Sequence, residues 1–356
     1  MADTTLASIV DALCQRLRPR ITTQYNRSDV KLNALRKGPG RGKNISGDVT
    51  FGTTVLQTFT DGQVVTQFDS DTEVPWNLPW AELGGALKIT GRAEDAAQGD
   101  DTELGALFMK KLMDRKTSIA GGINTELYTG AGGNSVIGTQ TASGPLDSTG
   151  IWANINRATY PQWAGNVLAN GGVPRGLSMR LIDQAFEAVD TAKGGGLSFG
   201  FASPAVFNVL CRMAGDKVRV VQEAYIRGEP LKAAMGFNAV EVHGVPIFKD
   251  SAATSGTLEL LCDQHIGIEY LPAAPSRLSR GKVLMMVPLA GTPQEQLNAL
   301  MPHGQAPSIG EASALMGMLI YLPSVGNFDA WQLVTTCNLW CDRPNAHALI
   351  KDIETT

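Results

Sequence analysis

Three groups of residues in this chain have the types that chemistry needs, and each fails on spacing. Gly38-Pro39-Gly40-Arg41-Gly42-Lys43-Asn44 has the glycines and the lysine of a phosphate-cradling loop. Such a loop also needs a Gly five residues before the second Gly and a Ser or Thr after the Lys to ligate magnesium. Lys37 and Asn44 stand in those places, and no capped apolar helix follows, so the stretch reads as a flexible hinge. His243, His265, His303 and His347 lie in separate segments with no pair at ligand spacing, and read as turn or surface histidines. Cys337 and Cys341 point to one side of a regular strand, too far apart along it to bond, and read as core residues. With Cys14, Cys211 and Cys262 they make an odd, scattered set, unlike a disulfide framework. No Gly-x-Ser-x-Gly elbow, acid pair or helical His-Glu motif appears. The expectation is a protein that is not an enzyme, with no catalytic residue, no cofactor and no metal.

Composition points the same way. Of 356 residues, 43% are apolar, 18% charged and 39 are Gly, which describes a folded, loop-rich, β-containing chain. A net charge of -4 argues against a surface basic along its whole length, so any nucleic-acid contact must be local. The N-terminus lacks the basic flank and apolar run of a signal peptide, and no stretch is long and apolar enough for a membrane helix. The expectation is a soluble protein made in a cytosol, with no membrane partner.

The charge is unevenly spread. Residues 1–43 carry nine basic side chains against three acids, net +6, and residues 44–103 carry eleven acids against Lys88 and Arg92, net -9. Adjacent segments of opposite sign suit pairing between copies of one chain. Arg16, Arg18 and Arg20 on the basic arm, with Asp69, Asp71 and Glu73 on the acidic segment, are the expected contacts; the alternative is that the arm's cations face nucleic acid.

The elements that must position these charges follow in order. Leu6, Ile9, Val10, Leu13 and Leu17 give a short amphipathic helix ending at Pro19. Val49 to Leu87 alternates like a two-stranded ribbon, turning at Asp61-Gly62, with no core of its own. Asp100 or Asp101 caps a long helix from Thr102 to Tyr128, which Gly121-Gly122 can bend and Gly130 ends. Ile151 to Leu168 suits strands and turns. Ser178 caps a helix lined by Leu181, Ile182, Ala185, Phe186 and Val189. A strand to Phe201 and the Ser203-Pro204 cap open a second helix, giving a compact α/β unit. Val240 to Phe248 is a hairpin about His243-Gly244, and Thr257 to Tyr270 is one or two strands. Residues 294–307 form a polar insertion. The last strands, Leu315 to Leu322, Trp331 to Cys341 and Ala346 to Ile353, return to a sheet begun near Ile151.

This order of parts resembles the major capsid proteins of tailed bacteriophages with the Hong Kong ninety-seven fold. Asn156-Arg157-Ala158-Thr159-Tyr160-Pro161-Gln162-Trp163, Val245-Pro246-Ile247-Phe248-Lys249-Asp250, Ile89-x-Gly91-Arg92-x-Glu94 and Asn345-Ala346-His347-Ala348-Leu349-Ile350 carry the likeness. The resemblance implies an α+β chain with an N-terminal arm (1–46), an extended loop (47–90), a spine helix and peripheral domain (91–174) and an axial domain (175–290). An insertion with returning peripheral strands (291–356) closes it. It implies a structural subunit that self-assembles through hexamers and pentamers into the icosahedral head of a virion, assembled in the host bacterial cytoplasm around double-stranded DNA held without specific contacts. The partners implied are a separate scaffolding protein, a portal protein and a decoration protein. Some members of the family join a loop Lys to a neighbour's Asn beside a buried Glu; no Lys lies between Lys43 and Lys88, so no such mesh is expected here. The rival readings are an encapsulin-like compartment around a protein cargo, and a soluble enzyme with an α/β domain.

Overall fold

The computed structural model of the chain describes residues 29–51, 73–91, 101–142, 144–192, 194–214, 220–221, 225–226, 229–230, 239–272, 285–290, 315–322 and 328–355. It opens on a short buried helix, α1 (Val30–Ala34), which leads into β1 (Arg36–Pro39). The expected arm is therefore packed into the core from Asp29 onward, and two of its cations, Lys31 and Lys37, are buried. The expected hinge is a built turn. Gly42 has φ +87°, and a Cβ on Gly40 would strike the Trp80 ring and come within 2.9 Å of Glu269.

β2 (Asn44–Thr50) and β3 (Glu73–Pro79) pair antiparallel, from Asn44↔Pro79 to Thr50↔Glu73, and after Trp80 the chain runs on into β4 (Ala81–Thr90). The expectation of a ribbon without a core up to Leu87 is corrected here. β4 pairs along its whole length with β18 (Phe328–Cys341), from Phe328↔Thr90 to Cys337↔Ala81, and Ala81, Leu87 and Ile89 are buried. Next comes α2 (Asp101–Thr129), 29 residues and roughly 44 Å long at 1.5 Å per residue. It runs unbroken through Gly121-Gly122, and the bare Gly121 faces Asp29. Gly130 follows its last residue, and a side chain there would collide with the Val136 carbonyl.

Two sheets hold the rest together. The first runs β1, β15 (Ile266–Tyr270), β18, β17 (Leu315–Leu322), β16 (Met285–Ala290), with β4 also on β18. The second runs β7 (Asn166–Leu168), β19 (Ala348–Ile350), β14 (Leu258–Leu261), β8 (Phe199–Ala202), β13 (Val245–Lys249), β12 (Ala239–Val242), β9 (Val220–Val221). Small pairs β5 (Ile151–Trp152) with β6 (Ile155–Asn156), and β10 (Tyr225–Ile226) with β11 (Glu229–Pro230), stand apart. β14 and β15 are neighbours in sequence yet belong to different sheets. The last strands correct another expectation: β17 and β18 join β1, β4, β15 and β16 rather than a sheet begun near Ile151, and β19 alone pairs with a strand of that segment, β7, inside the α/β sheet.

Helices α3 (Met179–Thr191) and α4 (Pro204–Ala214) cover one face of the second sheet, packing Ile182, Val189, Val206 and Leu210 on Val240, Ile247 and Leu258. Ser178 Oγ caps α3 by accepting from Leu181 N–H at 3.3 Å. Ser203 does not cap α4 with its side chain, whose Oγ has no partner among the described residues. Pro204 at the first helical position instead removes one of the donors needing a cap. The other face turns Phe199, Phe201 and Phe248 into the core shared with α2 and the first sheet. Burying each is worth about 2 kcal/mol. The chain is α+β.

Candidate functional site

The ribbon β2–β3 is rooted by residues far along the sequence. A Cβ on Gly47 would lie 2.8 Å from the Trp76 indole, so the bare glycine lets that ring fold across the ribbon and bury. Phe51 stacks on Tyr160 with centroids 4.5 Å apart and meets Trp163 edge-on at 5.9 Å. The hairpin β5–β6 turns through Ala153 and Asn154, both at positive φ, as a two-residue hairpin loop requires. Its tip grips the ribbon: Asn77 N–H donates to Ala153 O at 3.2 Å, and Asn154 Nδ2 donates to Asn77 Oδ1 at 2.6 Å. Arg157 holds the socket together. Its guanidinium donates to Trp163 O at 3.2 Å, Thr149 O at 2.7 Å and Gly144 O at 2.7 Å, a fork across three turns that a lysine could not reproduce. The Asn156 to Trp163 segment is thus structural.

A buried charge network joins α1, α2, the loop after α2 and the second sheet. Lys31 has no solvent exposure, and its Nζ donates to Glu259 Oε2 at 2.6 Å, Thr139 Oγ1 at 2.6 Å and Leu127 O at 3.0 Å. The same atom sits 3.8 Å from the Tyr128 ring centroid. Glu259 Oε1 accepts from Thr139 Oγ1 at 2.6 Å and Gln140 Nε2 at 2.8 Å. Beside them Asp250 accepts from Tyr128 OH at 2.9 Å, Asn124 Nδ2 at 3.1 Å and the backbone N–H groups of Lys31 and Ala252. Asn124 Oδ1 accepts from Leu32 N–H at 2.9 Å. Burial lowers the Lys31 pKa, with Glu259 and Asp250 opposing it, and burial beside the two carboxylates holds the Tyr128 phenol well above its usual range. Each ammonium proton and each carboxylate oxygen here has a protein partner, so the cluster welds elements rather than transforming a substrate.

Of the contacts expected between copies, Arg16, Arg18, Arg20, Asp69 and Asp71 lie outside the described residues. Glu73 opens β3, exposed, opposite Thr50. His243 and His265 stand in turns, 2.6 Å from Asp183 Oδ1 and 3.0 Å from Asp342 Oδ1. His347 departs from expectation: it is fully buried, its Nδ1 accepts from Cys262 N–H at 3.0 Å, and burial pushes its pKa down to about 3. Cys337 and Cys341 are buried thiols on β18, the former pushed up to about 12 by burial. Among the described residues no His, Cys, Asp and Glu group could hold a metal ion, and no helix is long and apolar enough to cross a membrane. Sequence reasoning missed the Lys31 network; its one signal was Glu259 inside the apolar run Leu258-Glu259-Leu260-Leu261.

No family model and no curated protein matches the chain. Solved structures do. The capsid asymmetric unit of Cyanophage A-1(L) matches with a TM-score of 0.66 and 17% identity, covering 91% of this chain and 92% of that one. The capsid of a native GTA particle matches with a TM-score of 0.53 and 11% identity, covering 90% and 89%. The chain has the fold of these capsid proteins. It is the Hong Kong ninety-seven-like architecture that the order of parts suggested, a mixed α+β fold with few helices and several sheets.

Proposed function

We propose that this chain is the major capsid protein of a tailed phage, a structural subunit that assembles with copies of itself into an icosahedral shell around double-stranded DNA. The observation that carries the reading is the capsid likeness over 91% of the chain and 92% of the matched one. The geometry agrees. A strand pair fixed to the body by Trp76, Phe51, Tyr160 and the β5–β6 hairpin is a firm base for a loop that another copy covers. In this reading the arm is what precedes Asp29, the extended loop is carried by β2 and β3, α2 is the spine, and the second sheet with α3 and α4 is the axial domain. The partners are further copies in hexamers and pentamers, a separate scaffolding protein, a portal, a decoration protein and the packaged DNA. The subunit works in the virion, is assembled in the host cytoplasm, and performs no catalytic step.

The test is direct. Purified protein, with scaffold or a crowding agent, should give closed particles of tens of nanometres under negative stain. A chain that stays monomeric at high concentration sinks the reading. Particles from infected cells should contain DNA; particles holding a protein cargo and no nucleic acid would instead favour an encapsulin-like compartment.

A further inference from the structure

The first sheet packs on α2 through Trp331, whose ring meets Phe108 edge-on at 5.0 Å. Strand alternation turns the even-numbered residues of β18 to the opposite face. The register sets Gly38 and Glu269 in one row on that face, and Arg36, Gly267 and Trp340 in the next. Two half-buried indoles lie there, each over a bare glycine. A Cβ on Gly267 would stand 2.8 Å from Trp340 Nε1, and one on Gly40 would strike the Trp80 ring. Gly38 lies between them along β1, and a Cβ on it would meet nothing within 4 Å, so the floor between the rings is open.

Glu269 stands beside this floor and leans to its Trp80 end, with Oε2 2.9 Å from the point where a Cβ on Gly40 would stand. The carboxylate is half-buried, and burial raises its pKa. Among the described residues it accepts no hydrogen bond and joins no ion pair. Arg36, the cation on this face of β1, is turned to Asp263 at 3.5 Å.

We propose that this slot binds a linear organic cation, an alkylammonium or alkylguanidinium group whose charge lies between Trp80 and Glu269 and whose hydrocarbon chain runs over Gly38 towards Trp340. Each wall suits one part of such a ligand. An indole is the best aromatic partner for a cation, and the attraction grows where water is displaced. A half-buried carboxylate with no donor of its own gains most from a charge brought to contact distance. From the level of Gly40 to that of Arg36 is four residues, roughly 13 Å at 3.3 Å per residue, which an extended polyamine or arginine side chain spans and a bare metal ion does not. One carboxylate and two indoles also make a poor set of donors for a metal. Two sources carry the chemistry, a free polyamine or an arginine of the basic segment from Arg16 to Arg27. The inference does not depend on the shell proposed above.

The full-length protein is titrated with spermidine and with butylguanidinium, against sodium chloride of equal ionic strength, and followed by tryptophan emission and calorimetry. One ion pair and contacts with two rings should give saturable binding with a Kd of about 1 mM. Glu269→Gln should weaken it about fivefold or more. Gly38→Val should abolish it at an unchanged melting temperature, because the new side chain enters open space. Changing Arg16, Arg18, Arg20 and Arg27 together to Gln separates the sources. If the slot takes a free cation, the altered and unaltered chains bind it alike; if an arginine of the arm fills it, the added cation binds only the altered chain. No saturable binding to either chain, or binding that Gly38→Val leaves intact, overturns the proposal.

Discussion

At the scale of single residues, Lys31 and Glu259 matter most because neither has anywhere else to go. Both are essentially unexposed, and each is the other's only opposite charge at contact distance among the described residues. A buried pair of this kind adds little net stability, but removing one partner strands the other's charge in the core. Lys31→Met should therefore cost about 3–5 kcal/mol in urea unfolding of the subunit, and Lys31→Met with Glu259→Gln should recover most of it. A single variant as stable as the parent would show that water reaches Glu259. His347 supplies a pH dependence whose sign follows from its burial. Its folded pKa of about 3 lies below the usual value near 6.5, so the unfolded chain binds the proton first. Its contribution is complete above about pH 6.5 and is lost as pH falls towards 3, at up to about 1.4 kcal/mol per pH unit. His347→Asn keeps an acceptor for the Cys262 amide and should flatten stability against pH in that window. An unchanged slope would assign the acid lability to carboxylates.

At the scale of elements, the ribbon root is the place where small changes should have large local effects. Gly47→Val sets a branched side chain where the Trp76 indole already lies 2.8 Å from the Cβ position, and overpacking of this sort costs about 1–3 kcal/mol. Trp76 should swing into water, seen as red-shifted emission, and a protease should cut the ribbon faster; native-like emission would mean that the ribbon can twist aside. Arg157→Lys should loosen the same socket, since an ammonium cannot reach three carbonyls on different turns. The elements themselves were legible in sequence wherever their signals are local: the extent of α2, the Ser178 cap, the hairpin turning at His243-Gly244 with φ +52° and +79°. What could not be read was partnership. β4 alternates like a strand with one wet face, but the β18 that pairs with it along its whole length comes far later in the chain. The same blindness let β14 and β15 part into different sheets and put β19 beside β7. Lys31 falls among the nine cations of the arm in a charge tally, which cannot see Glu259 on a strand of the second sheet. Of the expected inter-subunit contacts, only Glu73 has a position to compare.

At the scale of the whole molecule, the proposed shell raises the question of what would hold it closed once assembled. Some members of the family it resembles answer with a covalent bond between a loop lysine and a neighbour's asparagine, formed beside a buried glutamate. This chain is poorly equipped for that. No lysine lies between Lys43, at the near end of the ribbon, and Lys88, at the far end of β4, so the reaching part of the ribbon carries no amine. The buried Glu259 is already committed to Lys31 of its own subunit. Cohesion must come from burial between copies and from charge pairs, and the two respond differently to salt. Exposed pairs are screened over a Debye length of about 3 Å in 1 M salt, whereas apolar burial is not weakened by it. Mature particles boiled in detergent should therefore run as a single band near 37.8 kDa. The assembly rate should fall steeply between low and 1 M salt, while finished shells survive the transfer. A ladder of multimers on the gel would refute the non-covalent account, and assembly indifferent to salt would leave burial alone to set the register.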